Sequence, residues 1–184
     1  MTKSRALGAA SLLAVNSCIV LSGQETPWTT PTAAQIEAVY PAIHALYIDL
    51  HKNPELAFQE TQTAAKLAAH VKALGFDVTT GVGGTGVVAV MKNGSGPTVM
   101  LRTELDALPV EEKTGLPYAS TVKVKNASGE LVPVMHACGH DLHMAAWAGA
   151  ARLMAEQRKR WQGTLVMVGQ PAEEGGAGAP ATKH

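Results

Sequence analysis

The stretch "MHACGHDLHMAAWAGAARLM", residues 135–154, begins as a cluster of chemically active side chains and ends as a helix. His136, Cys138, His140, Asp141 and His143 crowd its first half. From Asp141 onward, small and apolar residues run into the basic "QRKRW" at 157–161, where positive charge suits the negative end of a helix dipole. Gly139 between Cys138 and His140 lets the backbone turn so that thiol and imidazole can face one point. A soft thiol beside imidazoles at the entrance to a helix calls for a metal ion, a nucleophile and its base, or a buried cluster.

Working outward, "GTLVMVGQ" at 163–170 reads as a buried strand and is followed by "PAEEGGAGAP". Upstream, Val87–Met91 and Thr98–Leu101 are two short apolar runs separated by the turn "KNGSG". "RTELDALP" follows the second of them. "NASGE" marks a hairpin within the polar excursion 118–134. "GVGGTG" at 81–86 has neither the following helix nor the terminal Lys of a phosphate loop, so it reads as a turn entering a strand. Two helices precede these strands. One starts at 33, contains Pro41 as a point of kink or division, and is stopped by Asn53-Pro54. The other covers 60–76, with Leu67, Val71 and Leu74 on one stripe and Gly75 as C-cap. Helices alternating with strands predict an α/β sheet, whose sites collect at the carboxyl ends of strands. "RTELDALP", "HACGHD" and "QPAEE" all fall there.

Composition excludes several classes. The 184 residues suit one domain. Fifteen Lys plus Arg balance fifteen Asp plus Glu, and only 4% of residues are aromatic, so nothing favours a nucleic-acid partner. Residues 1–22 read as a signal peptide: Lys3 and Arg5 form the basic region, Ala6 to Leu21 is mainly apolar, and Ser22 offers a small residue for cleavage. Residues 23–32 then form a polar linker. The expectation is export to a periplasmic or extracellular compartment, with no membrane span after cleavage. "VNSC" is a poor match for lipid attachment at Cys18. Without Cys18, Cys138 has no cysteine partner, so it is buried filler, a nucleophile or a metal ligand.

Each chemical residue also has a bland reading. His140 after a glycine can cap a helix, Glu173 and Glu174 can be a solvated loop, and Asp106 can cap a turn. Together they converge at strand ends. Zinc-like cations take thiolate, imidazole and carboxylate ligands. Of two adjacent glutamates, one can hold metal while the other moves protons. Asp106 can accept a hydrogen bond from a ligating imidazole and fix its tautomer.

From about Leu50 to Ala179 the sequence resembles the amidohydrolase branch of the M20 metallopeptidase family. That branch includes hippurate hydrolases, aminoacylase-like enzymes and auxin-conjugate hydrolases. The likeness is carried, in order, by "HKNPELAFQETQTAAKLAAHVKALGFDV", "GVGGTGVVAV", "LRTELDALPVEEKTGLPYAS", "MHACGHDLHMAAWAGAARLM" and "GTLVMVGQPAEEGGAGA". It implies a metal-dependent aminopeptidase-like catalytic domain with a mixed central sheet flanked by helices. It implies Cys138, His140 and Glu174 as metal ligands, Glu173 as general base and Asp106 as the residue that orients the site. His136, Asp141 and His143 are then neighbours of the ligands. One or two divalent ions (zinc, manganese, cobalt or nickel) are implied as cofactor. N-acyl or N-aroyl amino acids, or small peptides, are implied as substrates, and intact members as homo-oligomers.

Two departures stand out. The family reads R-A-D-M-D-A-L-P where this chain has Thr103, Glu104 and Leu105. Family chains are also about twice as long, with two later histidine ligands and a smaller dimerisation and lid domain. Residues 33–184 are therefore read as the N-terminal portion of the catalytic domain, without that lid and expected to be inactive alone. With later strands missing, 163–170 is expected to be an exposed apolar edge. Two alternatives stay open: a thiol hydrolase using Cys138 as nucleophile, and a non-catalytic metal-binding remnant.

Overall fold

The computed structural model describes residues 30–177; the expected signal peptide over 1–22 and most of the linker lie outside them. Helix α1 spans Ala33–Lys52. It starts at a reciprocal cap in which the Thr32 hydroxyl accepts from the Gln35 amide while the Gln35 side chain accepts from the Thr32 amide. It runs through Pro41 unbroken. Pro41 cannot donate to the Glu37 carbonyl, but both residues are exposed, so water can take that place. Asn53 ends the helix. Helix α2 spans Thr61–Ala73, and Gly75 follows it with φ +87°.

Strands β1 (Asp77–Val82) and β2 (Gly86–Asn93) form an antiparallel hairpin whose turn is the Gly-rich segment, closed by Gly84 N–H to Gly81 O at 3.2 Å. β1 was not legible in the sequence because it is an outer strand with mostly exposed positions, Thr79, Thr80 and Gly81 among them. Strand β3 is Thr98–Glu104. β4 (Lys123–Lys125) and β5 (Leu131–Pro133) are the expected small hairpin, organised by Asn126 Oδ1, which accepts from the Ser128 and Glu130 amides. Helix α3 is His140–Glu156, and β6 is Gly163–Gln170.

The main sheet has the order β1-β2-β6-β3. β1–β2 and β2–β6 are antiparallel and β6–β3 is parallel, so the sheet is mixed as expected. β6 lies between β2 and β3, which corrects the expectation that 163–170 is the exposed edge. The outer strand on that side is β3. Its Val99 and Met100 are 57% and 65% exposed, whereas Met167 in β6 is fully buried. The reason is topological: β6 is late in sequence but inserts beside β2, displacing β3 outward.

The core forms where one face of the sheet meets the helices. Val87, Ala89, Met91, Leu165 and Met167 pack with Leu50, Leu67, Val71, Met144, Trp147 and Ala148. Helix α3 has no side-chain N-cap. A glycine N-cap gives up only a few tenths of a kcal/mol to a capping side chain. Full burial of a side chain such as Met144 contributes roughly 1.5–3 kcal/mol. Met144 is fully buried and Trp147 nearly so, so packing rather than capping holds α3 in place. Trp147 also donates its indole N–H to the Leu101 carbonyl at 3.2 Å, pinning α3 to β3. Among the described residues no helix is long and apolar enough to cross a membrane.

Candidate metal centre

The parallel β3–β6 register sets the site. Its last pair is Glu104 with Gln170, so the segments beginning at Leu105 and Pro171 leave the sheet side by side. Leu105 N–H donates to the Gln170 carbonyl at 2.9 Å across that exit. Beyond it, Leu108 and Met135 exchange both backbone hydrogen bonds at 3.0 Å, drawing "DALP" alongside "MHAC". Gly139 then takes φ +79° at the N-cap of α3. A substituted Cβ would meet nothing within 4 Å there, so the need for glycine comes from the left-handed backbone and not from space. The turn carries Cys138 to the surface and His140 into the interior.

His140 is buried and its Nδ1 lies 2.7 Å from the Asp106 backbone oxygen. A carbonyl only accepts, so Nδ1 carries the proton and the Nε2 lone pair is free. Nε2 lies 3.6 Å from Glu173 Oε2 and 4.0 Å from Glu174 Oε1. The Asp106 carboxylate, fully buried, was expected to orient that imidazole. It stands 3.7 Å from Nδ1, and its own backbone carbonyl makes the bond instead. The carboxylate is engaged elsewhere. Its two oxygens accept the Glu173 and Glu174 amides, each at 3.0 Å.

His140, Glu173 and Glu174 each place one ligand atom within 4.8 Å of the others. Cys138 is exposed and its sulfur lies outside that group of three. The neighbouring Glu174 is the largest cause of a raised thiol pKa, with desolvation and the charges of Glu173 and Asp106 adding to it. Glu174 Oε1 is buried without a hydrogen-bond partner among the described residues. An imidazole lone pair, an unpartnered carboxylate oxygen and a thiol crowded by carboxylates form a donor set that a divalent cation fits.

The remaining expected residues surround this set. His136 is buried with neither ring nitrogen partnered among the described residues, and burial, reinforced by the charges of His140 and His51, pushes its pKa down to about 4. It is a neutral imidazole at ordinary pH. The His143 side chain is 60% exposed and its Nδ1 lies 3.1 Å from Glu104 Oε2. Glu104 also pairs with Arg102 at 2.7 Å, so the longer arm at this position serves a surface network. Asp141 is buried and turns away from the cluster to His51 Nδ1, 2.6 Å away.

Sequence reasoning missed His51, Glu112 and Glu60. His51 Nε2 lies 3.0 Å from Glu112 Oε1, so one buried imidazole joins two carboxylates, with Tyr47 and Tyr118 against its ring. Glu112 also accepts from Thr114 Oγ1 and the Ser120 amide. Burial alone lowers the His51 pKa, but the hydrogen bonds and charges of Glu112 and Asp141 outweigh it and the net shift is upward. Burial likewise raises Glu112, but Thr114, His51 and Ser120 together carry it below its usual value. A lone histidine at the end of a helix gives no sign of partners 61 and 90 residues away.

The mixed sheet thus delivers an imidazole and two carboxylates to the end of the β3–β6 pair, with a thiol beside them. Residues 100–183 match the model of Peptidase family M20/M25/M40. Hippurate hydrolase of Campylobacter jejuni is 45% identical over 133 residues, 72% of this chain and 32% of that protein. IAA-amino acid hydrolase ILR1-like 5 of Arabidopsis thaliana is 34% identical over 169 residues, 90% of this chain and 37% of that protein. The Bacillus subtilis YXEP protein, described as a dinuclear metal binding peptidase of the M20 family, superposes with a TM-score of 0.69 at 36% identity, covering 79% of this chain and 38% of that one. The chain belongs to the M20 metallopeptidase family, and it spans about a third of the length of the relatives it matches.

Two outcomes follow from this geometry. Asp106→Asn turns an amide N–H₂ toward one of the two backbone N–H groups that the carboxylate now holds. It should cost about 1–3 kcal/mol in urea unfolding, the penalty for a buried group left unpartnered; a loss under about 0.5 kcal/mol would contradict the role given to this carboxylate. The second outcome concerns pH. With its folded pKa raised, His51 contributes stability fully below its ordinary 6.5 and loses it as pH rises through the folded value. With its folded pKa lowered, Glu112 contributes above its ordinary 4.5 and loses that as pH falls through the folded value. The stability gap between wild type and His51→Gln should therefore be widest between 4.5 and 6.5 and narrow in alkali, as read from urea midpoints across pH. A gap that widens in alkali would refute the ion pairing.

Proposed function

We propose that this chain carries part of the centre of an amidohydrolase that cleaves N-acyl or N-aroyl amino acids or small peptides. The observation that carries this reading is the His140 Nε2 lone pair, fixed by the Asp106 carbonyl and facing two adjacent carboxylates. Cys138, His140 and Glu174 would hold a divalent ion (zinc, manganese, cobalt or nickel), one or two per site. Such an ion supplies Lewis-acid polarisation of the amide carbonyl and acidifies water.

The rest falls to the chain's own groups. Glu173 and Glu174 differ in surroundings: their side chains are 38% and 19% exposed. The more open Glu173 is suited to take a proton from the attacking water and pass it to the departing amine. The more enclosed Glu174, with its unpartnered oxygen, is suited to coordination. Asp106 holds both through their amides. His136 and His143 stand beside the ligands. Cleavage gives a carboxylic acid and an amino acid. Relatives named hippurate hydrolase and IAA-amino acid hydrolase support this substrate class. A thiol hydrolase is less well supported, because its nucleophile needs a lowered thiol pKa and the neighbours of Cys138 raise it.

The matched relatives are about three times as long, so catalysis is assigned to an enzyme containing this region, assembled as a homo-oligomer, and residues 33–184 to one portion of its catalytic domain. In that full-length context Glu173→Gln should retain bound metal, measured by elemental analysis, and lose turnover by about 10²-fold or more. Glu174→Ala and Cys138→Ala should lose metal as well. Equal metal loss in Glu173→Gln and Glu174→Ala would show that the two glutamates do not divide these duties.

Export is proposed on residues 1–22, with Lys3 and Arg5 ahead of the apolar run. Mass spectrometry of the exported protein should find a chain starting at Gly23, and an intact Met1 in that fraction would count against it.

A further inference from the structure

Glu60 is a fully buried carboxylate that the mechanism above does not use. It occupies the N-cap position of α2, yet its side chain makes no cap hydrogen bond. Glu55 caps the helix in its place, its Oε1 accepting from the Gln62 amide at 3.1 Å and its Oε2 from the Thr63 amide at 2.8 Å. Glu60 is thereby released from its own helix and reaches across 112 positions of sequence. Its Oε1 accepts the Ala172 amide at 2.8 Å, and its Oε2 accepts the Thr85 hydroxyl at 2.5 Å.

Ala172 is fully buried and has φ +50°, a left-handed conformation that strains a residue with a Cβ. It immediately precedes Glu173 and Glu174. The next two amides are the ones bound by Asp106. Three successive amides, 172 to 174, are thus gripped by two fully buried carboxylates. Hydrogen bonds from these buried carboxylate oxygens hold the left-handed turn in place. The turn leads from the end of β6 to the two glutamates that face His140 Nε2.

We infer that Glu60 is a positioning residue for the Glu173–Glu174 loop, acting by fixing the Ala172 amide and touching no ligand itself. Its use in metal binding rests on the functional reading above; its hold on the loop does not. Reach should matter more than charge. A glutamine can accept from Ala172 through its oxygen and donate to Thr85 through its nitrogen. An aspartate keeps the charge but is one methylene too short.

The test uses the full 184-residue chain and two readouts. The first is amide hydrogen exchange by NMR at residues 172–174, compared with the β6 amides. The second is cobalt(II) titration followed by the visible d–d bands and the thiolate-to-cobalt charge-transfer band. Glu60→Asp should accelerate exchange at 172–174 by about tenfold or more, leave β6 protected, and weaken cobalt binding by a similar factor. Glu60→Gln should stay within about threefold of wild type in both. Thr85→Val removes the other partner of the same carboxylate and should lower the thermal midpoint with little change at 172–174. The inference is overturned if Glu60→Gln loses as much as Glu60→Asp, if exchange at 172–174 in Glu60→Asp only follows β6, or if Thr85→Val loosens the loop equally. A wild-type chain that shows no cobalt bands would count against the metal reading, and the exchange pattern alone would then decide whether Glu60 holds the loop.

Discussion

Asp106 is the constraint on which the site depends. A single residue, fully buried, uses three oxygens on three separate partners. Its carbonyl accepts a hydrogen bond from His140 Nδ1, and its carboxylate oxygens accept the amides of Glu173 and Glu174. These partners lie on the start of α3 and on the exit of β6, while Asp106 itself lies just past β3. One residue therefore closes the distance between elements that are 34 and 67 positions away in the chain. A buried carboxylate is costly unless its lone pairs are used, and here the backbone amides satisfy them. The arrangement also keeps negative charge beneath the site, which favours a cation above it.

Around this centre the polar interior is built in two further layers. Glu60 braces the loop after β6 from the side of α2. His51 braces the start of α3 from the side of α1, bridging Asp141 to Glu112 on the long excursion after β3. Each brace satisfies groups that would otherwise be stranded, and each fixes a segment that offers a proposed ligand. The helices thus serve twice, since one face fills the core against β2 and β6 while the termini supply the polar struts. This explains why buried charged and polar residues (Glu60, Asp106, His51, Asp141) cluster at one end of the sheet while the rest of the core is apolar.

The electrostatic setting separates the chemistries open to Cys138. Carboxylates on its flank hold its proton on, which disfavours a free thiolate nucleophile. A bound cation reverses that balance by stabilising the thiolate directly.

The sequence by itself determined most of the element types, β1 excepted, along with the α/β class and the segments that meet at the site. These depend on local signals: apolar runs bounded by glycine turns, helix stops at Asn53 and Gly75, and a glycine at 139 where the backbone must turn left-handed. His140, Glu173 and Glu174, which the fold brings together, stood out in the sequence because each sits in a short local run of metal-binding residue types, "CGH" and "EE". The tertiary structure alone decided the strand order, placing β6 inside and β3 at the edge, because hydrophobic runs look alike whichever neighbour they pair with. It also decided that the Asp106 backbone, and not its carboxylate, orients His140. The partnerships of Glu60 and His51 belong to it as well, since a long-range hydrogen bond leaves no periodicity or spacing in the chain and exists only once the fold has brought its two ends together.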